Sequence, residues 1–486
     1  MVTRVRQDVN KLPQWDPTLL WYAKAVAEMQ TRPFNDPTSW RYQAAIHGYQ
    51  RDQDPFASDS DTLPSAADQR TFWSQCQHSS WFFLPWHRMY LMCFEAMVAA
   101  TVVKLGGPAG WSLPYWNYSD TSNPGARRLP AAFFLPTLPD GSANALNVSA
   151  RAPNDNGDIG MTPAEVDIRC LADALFTGIA DGGHPGFGGP KTGFNHGNGP
   201  TGALEKTPHG DVHVAVGGDS GLMSAFETAA LDPIFWLHHA NIDRLWQVWL
   251  NRLSSHKNPA DTTWLSASNA KFQFHDASGQ VQTYTPAQML DTTNTLLGYQ
   301  YEDTSDPLAT GAPVSIHAAV GGPMGAVVQQ PAELAGGTSA AHALANAPTT
   351  AQVPLQAGAA SVRGAALTSA PVARVYLNLE NITGSGRPGG YGVYLNVADA
   401  ANPPAQSDPG FAGTLPMFGV QAASGSDLLH QGSGLTYVLD VTHVVEHLKA
   451  AGTWDAHNLR VTFAPLRAGQ KAPDLQVGRI SLYYGD

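Results

Sequence analysis

Charge is scarce in this chain. Asp, Glu, Lys and Arg make up only 14% of its 486 residues, and the formal balance is -12 at pH 7. So sparse and net acidic a surface offers little to a polyanion, which excludes nucleic acid and an anionic membrane surface as partners. Cysteine is scarcer still. Cys76, Cys93 and Cys170 form no CxxC pair and are too few and too scattered for a disulfide framework. No apolar run reaches the roughly 18 residues of a membrane span. The opening "MVTRVRQDVNKLPQWDP" lacks the apolar stretch of a secretory leader. A cytoplasmic, reducing setting is the expectation, with a processed or exported form left open. No internal repeat is present.

What the chain does have is histidine, in clusters. "QCQHSSWFFLPWHR", residues 75–88, sets His78 and His87 nine positions apart around an aromatic block. At about 100° per residue these two cannot share a face of one straight helix. Pro85 supplies the break, since proline suits the first helical position, and the spacing of Met89, Leu91, Met92 and Phe94 predicts a helix to about residue 103. His87 then lies in the first turn and His78 reaches in from the preceding loop. In "TPHGDVH", His209 and His213 are spaced i, i+4 and share a helix face, with Thr207 as N-cap and Pro208 as first helical residue. "LDPIFWLHHANIDRLWQVW" reads as an apolar helix opened by Asp232 and Pro233 and carrying His238 and His239. Two histidines in so apolar a helix are costly unless something uses them. Helical neighbours point about 100° apart, so one of the pair faces a shared site while the other packs or supports. His47, in the helical "SWRYQAAIHGYQ", is a sixth candidate.

A chain of 486 residues is expected to form two domains with a sizeable core. Residues 1–305 hold nearly all the tryptophan and the histidine clusters, in helical patterns separated by Gly/Pro/Asn-rich loops. One such loop carries His184 and His196, which read as solvated or substrate-facing. Residues 306–370 are rich in Ala, Gly, Pro and Thr and read as a linker. From 371 to 486 period-two alternation takes over, at Val375, Leu377 and Leu379, at Val393, Leu395 and Val397, at Val461 and Phe463, and at Ile480 and Leu482. These are strands. The fold class is therefore a mainly α four-helix bundle with long loops, its ligand-bearing helices (those of His47, His87, His209 and His239) facing inward, followed by a C-terminal β-sandwich or barrel.

Imidazole-only coordination suits copper, zinc or non-haem iron, and two sets of three would form a dinuclear site. Neutral ligands favour redox copper over hydrolytic zinc, whose two-metal sites recruit bridging carboxylates that are not evident near these histidines.

The residues also carry a resemblance. "HSSWFFLPWHR" followed by "DPIFWLHHANIDRLW" resembles the two copper motifs of the tyrosinase, catechol oxidase (polyphenol oxidase) and molluscan-type haemocyanin superfamily, the type-3 dicopper proteins. The likeness spans roughly residues 1–305, and the tail is similar to the β domain of plant polyphenol oxidases. It implies two copper ions, the first held by His47, His78 and His87 and the second by His209, His213 and His239. His238 would then support from behind, with Asp243 orienting the His239 ring. It implies a thioether between Cys76 and His78, and a pairing of the "LGYQY" segment at 297–301 with an N-terminal arginine, for which Arg6 is the candidate.

The same resemblance implies an activity: oxidation of o-diphenols to o-quinones with O2 as co-substrate. Phe226 corresponds to a bulky gate above the site, and Glu205 to a glutamate that holds an active-site water. Gly210, directly after His209, stands where strong monophenol hydroxylases have Asn or Asp. Glycine cannot help Glu205 orient a water that deprotonates a phenol, which speaks against hydroxylation while leaving catechol oxidation untouched. The monooxygenase activity stays an open second activity. Val214, after His213, offers no charge to a substrate carboxylate and favours small uncharged phenols over tyrosine. Two alternatives share the six histidines. One is an o-aminophenol oxidase of secondary metabolism, separated by comparing catechol with o-aminophenol. The other is a haemocyanin-like O2 carrier, which the single unrepeated copper unit argues against and which turnover would exclude. By resemblance the C-terminal domain covers the copper cleft, and a proteolytic cut within 306–370 relieves that latency.

Overall fold

The computed structural model describes residues 4–152, 156–178, 182–308, 332–356, 374–426, 432–471 and 474–485. The longer helices of the first part, among the described residues, are α1 (Pro17–Gln30), α2 (Trp40–His47), α3 (Ala66–Phe72), α4 (Phe83–Lys104), α5 (Asp211–Gly217) and α6 (Ile234–Arg252), with a short further one at Thr262–Ser266. Local chemistry sets their starts. Asp16 caps α1 through the Thr18 N–H, with Pro17 in the first position, and Ser39 caps α2 through the Tyr42 N–H. Asp232 accepts the Ile234 N–H at 3.0 Å and opens α6 as expected. Helix α4 begins two residues before Pro85 rather than at it, and its apolar residues lie all round, so it runs through the core between α1 and α6.

A buried charge network ties the ends of this part together. The strand Arg4–Arg6 pairs in parallel with Tyr299–Tyr301. Arg6 donates to Glu95 at 2.7 Å and to the Tyr301 hydroxyl at 2.8 Å, so it does meet the 297–301 segment. Asp243 accepts from Arg88 Nε and from both tyrosine hydroxyls, at 2.5, 2.6 and 2.5 Å. The two arginines hold the Asp243 carboxyl below its ordinary range despite complete burial, which by itself pushes the other way. Removing one partner of such a buried set costs about 3–5 kcal/mol, because an uncompensated charge is left behind.

The C-terminal part is two facing sheets around one core. One sheet runs Phe411–Leu415, Tyr391–Leu395, Asn458–Pro465, Thr349–Pro354. The other runs Gly199–Pro200, Leu435–Asp440, Arg374–Thr383, Gln476–Gly485, Glu333–Gly337. Val375, Leu377, Leu379, Val393, Leu395, Val461, Phe463, Ile480 and Leu482 are all buried between them. Val397 is also buried, beyond the end of its strand.

Two features depart from expectation. Residues 332–356, read as linker, contain three strands: Glu333–Gly337, His342–Ala343 and Thr349–Pro354. Their alternation is short and carried by small residues such as Ala351 and Val353, so an Ala/Gly/Pro-rich composition hid it. The rest of the expected linker, 309–331 and 357–370, lies outside the described residues. In addition, the first part lends the second sheet an edge strand, Gly199 pairing with Leu435 and Pro200 with Thr436.

Candidate metal centre

Helices α2, α4, α5 and α6 and two loops bring six histidine side chains to one point. His47 ends α2, His87 lies in α4, His213 in α5 and His239 in α6; His209 sits in the kinked turn Glu205–Gly210 and His78 in the loop before α4. None is more than 2% exposed.

Hydrogen bonding fixes the ring orientations. Nδ1 of His47 faces the Phe226 carbonyl at 2.8 Å, that of His87 the Phe83 carbonyl at 2.8 Å, that of His209 the Glu205 carbonyl at 3.0 Å, and that of His213 the Met223 carbonyl at 2.8 Å. A carbonyl oxygen only accepts, so in all four rings Nδ1 carries the hydrogen and Nε2 presents a lone pair inward. His47 Nε2 lies 3.4 Å from His78 Nε2, and His213 Nε2 lies 3.3 Å from His239 Nε2. The Nε2 atoms of His87 and His209 are buried without a hydrogen-bond partner. Burial pushes the His47 pKa down to about 4, and burial reinforced by neighbouring imidazoles pushes the other five well below the ordinary histidine value. Neutral rings whose lone pairs converge in a dry site repel one another unless a cation lies between them. The residues fit a metal.

Ligand atoms fall within 4.8 Å of one another in three groups: His209, His213, His238 and His239; His47, His87 and His239; and His47, Cys76 and His78. His239 belongs to two of them, and its ring stacks on His87 at 4.5 Å. His238 points elsewhere with its Nδ1, 3.2 Å from the Tyr118 hydroxyl.

Other expected residues fall into place unevenly. Phe226 lies flat on the His78 ring, 4.4 Å between centroids and 11° between planes. Glu205 faces the site, but its carboxylate is engaged by His78 Nδ1 at 2.9 Å and by the Ser79 N–H at 2.9 and 3.0 Å rather than turned to open space. Burial raises its pKa to about 8. Gly210 and Phe226 line the cleft with His78, Ser79, Thr201 and His209, whereas Val214 is buried in α5 and is not among the lining residues. Asp243, expected to orient His239, turns to the arginines instead, and His239 Nδ1 is left without a hydrogen-bond partner. Two buried guanidinium groups attract that carboxylate more strongly than one neutral ring can.

His196 is a correction as well. It is buried, with Nδ1 2.8 Å from the Cys76 carbonyl and 3.1 Å from Cys76 Sγ. Cys76 is buried and belongs to no disulfide. Sequence reasoning missed Phe418, whose ring stacks on His213 at 3.8 Å and 14° and meets Phe226 at 4.7 Å. Leu435 and Tyr437 of the β region line the same cleft. Pro416 reaches Gly210, where an added Cβ would stand 3.2 Å from its ring.

Residues 37–169 and 172–252 match the model of the common central domain of tyrosinase, and residues 331–485 match a domain of unknown function, DUF7868. Over 499 aligned positions, covering 99% of each chain, the sequence is 36% identical to the tyrosinase HcTyr1 of Hahella sp. (strain CCB-MM4). The chain belongs to the tyrosinase family. As a family member it is a copper oxidoreductase of the tyrosinase/catechol oxidase type. The chloroplastic polyphenol oxidase of Malus domestica is 29% identical over 310 residues, 62% of this chain and 49% of that one. In fold, the whole chain aligns with a latent aurone synthase (polyphenol oxidase) at a TM-score of 0.64 and 21% identity, covering 89% of that chain. A latent apple tyrosinase aligns at 0.62 and 22%, covering 98%. A helical central domain followed by a mostly β region is thus the architecture shared with these tyrosinase-family structures. Among the described residues no helix is long and apolar enough to cross a membrane.

Proposed function

We propose that His47, His78 and His87 hold one copper ion and His209, His213 and His239 the other, and that the chain oxidises small, uncharged o-diphenols to o-quinones. The observation that carries this is the set of Nε2 lone pairs facing one another from rings locked by backbone carbonyls. His239 is the proposed ligand of the adjacent pair because it alone stacks on His87 while facing His213. When bound, the copper pair supplies two-electron redox chemistry with O2 as oxidant. The protein supplies the rest. The flat face of Phe226 offers an aromatic substrate a stacking surface, and the walls exclude water. Cys76 is proposed to join His78 through a thioether, which peptide mass spectrometry reads as a loss of two hydrogens and as resistance to alkylation; an intact, alkylatable thiol in copper-loaded protein contradicts it.

Gly210 leaves Glu205 without a polar neighbour there, which supports a diphenol oxidase over a monophenol hydroxylase. Gly210→Asn is expected to bring in oxygen uptake with 4-tert-butylphenol. Because a side chain at 210 presses on Pro416, it should also loosen the β region and speed limited proteolysis. A variant that leaves phenol uptake where it was removes position 210 from the specificity argument.

The β region, a second domain beginning near residue 332 in this proposal, holds the enzyme latent. Phe418 occupies the place of a substrate ring over His213. Its docking is supported by the pairing of Gly199 and Pro200 with Leu435 and Thr436, by Thr414 donating to Asp211 at 2.6 Å, and by Arg467 beside Glu165 at 2.9 Å. Among the described residues, the plug comes from the β domain.

A further inference from the structure

Four of the six rings have Nδ1 held by a main-chain carbonyl; His78 differs. It lies in a loop, without a helix to carry it, and its Nδ1 meets the Glu205 carboxylate at 2.9 Å. The same carboxylate takes the Ser79 N–H on both oxygens, at 2.9 and 3.0 Å. Ser79 turns that N–H toward it by adopting φ 50°, a left-handed conformation that a residue with a side chain holds only when its surroundings fix it. Asn195 Nδ2 braces the loop by donating to the His78 and Ser79 carbonyls, each at 3.0 Å. Phe226 then covers the face of the ring. The main-chain carbonyl of Glu205, meanwhile, holds His209 at 3.0 Å. One residue therefore fixes a ring of each trio, by its side chain on one side and its backbone on the other.

Resting on the dicopper reading, we infer that Glu205 is a positioning residue. It holds His78 with Nε2 inward and ties it to His209, and so assembles the site of the first copper ion. The work is done by accepting hydrogen bonds in place. An amide oxygen at the same position can accept from His78 and Ser79 as well, whereas a methyl group cannot. The backbone carbonyl survives either substitution, so the His209 side is spared.

The test is copper binding, read by chelator competition and by copper per chain on full-length protein. The parent is expected to hold two ions. Glu205→Ala should weaken one of them by about 10–100-fold, the scale of losing a residue that orients a ligand, and leave the other near the parent value. Glu205→Gln should hold both nearly as the parent does. Metal-free thermal unfolding of each variant separates loss of the site from loss of the fold. Two ions held by Glu205→Ala as tightly as by the parent would overturn the inference, and so would equal losses in the Gln and Ala variants. A parent that binds no copper pair would instead sink the dicopper reading beneath it, before either variant is compared.

Discussion

Phe418→Ala is expected to raise oxygen uptake by the intact, copper-loaded chain on 4-tert-butylcatechol by about 10–100-fold, corresponding to about 1.4–2.8 kcal/mol of lost closure. The magnitude follows from what the ring does. It is buried, stacked on His213 and set edge-on against Phe226. An aromatic pair contributes about 0.5–1.5 kcal/mol beyond its area, and burying a phenylalanine contributes roughly 1.5–3 kcal/mol more. Truncation acts twice, freeing the space a substrate ring needs and shifting the docking equilibrium toward the open form. The remaining contacts, the Gly199–Leu435 pairing and the Thr414–Asp211 bond, stay in place, so the β domain should remain folded and largely associated. Uptake equal to that of the parent would show that Phe418 does not close the site.

The second large effect separates the adjacent histidines. His239→Ala should lower copper content below two ions per chain and cut catechol oxidation by about three orders of magnitude or more, as expected when one member of a unit acting together is lost. His239 stacks on His87 and faces His213, so both trios lose a neighbour at once. His238→Ala should keep both ions, because that ring hydrogen bonds Tyr118 and the change costs packing rather than a ligand. The reverse pattern would exchange the two assignments.

Much of this was legible in the sequence because it is local. Asp232 followed by Pro233 opens α6, i, i+4 spacing sets His209 and His213 on one side of their turn, and nine residues with a proline between them bring His78 and His87 together from loop and helix. The copper family resemblance implied His239 rather than His238 as the ligand, a choice that spacing alone left open. What was not legible depends on contacts between distant segments. Phe418 follows Pro416 and Met417 in a short apolar stretch with no motif to mark it, and only the docking of the two parts places it over His213, 205 positions earlier. Asp243 looked like a partner for His239 one turn away, but Arg6 and Arg88 arrive from other elements and capture it. His196 sat in a glycine-rich loop that reads as solvent-exposed, yet the loop folds back and pairs with His78. The strands within 332–356 were masked by composition, since Ala351 and Val353 keep the alternation while their neighbours suggest a linker.

The most direct test of the central claim is oxygen uptake by the copper-loaded chain and its Phe418→Ala form, given 4-tert-butylcatechol and then 4-tert-butylphenol, with copper per chain measured on the same samples. Two copper ions, slow catechol uptake by the parent, fast uptake by the variant and little uptake with the phenol are the predicted results. Two ions with no uptake of either substrate by the variant, or phenol oxidised as readily as catechol, would contradict a latent dicopper diphenol oxidase.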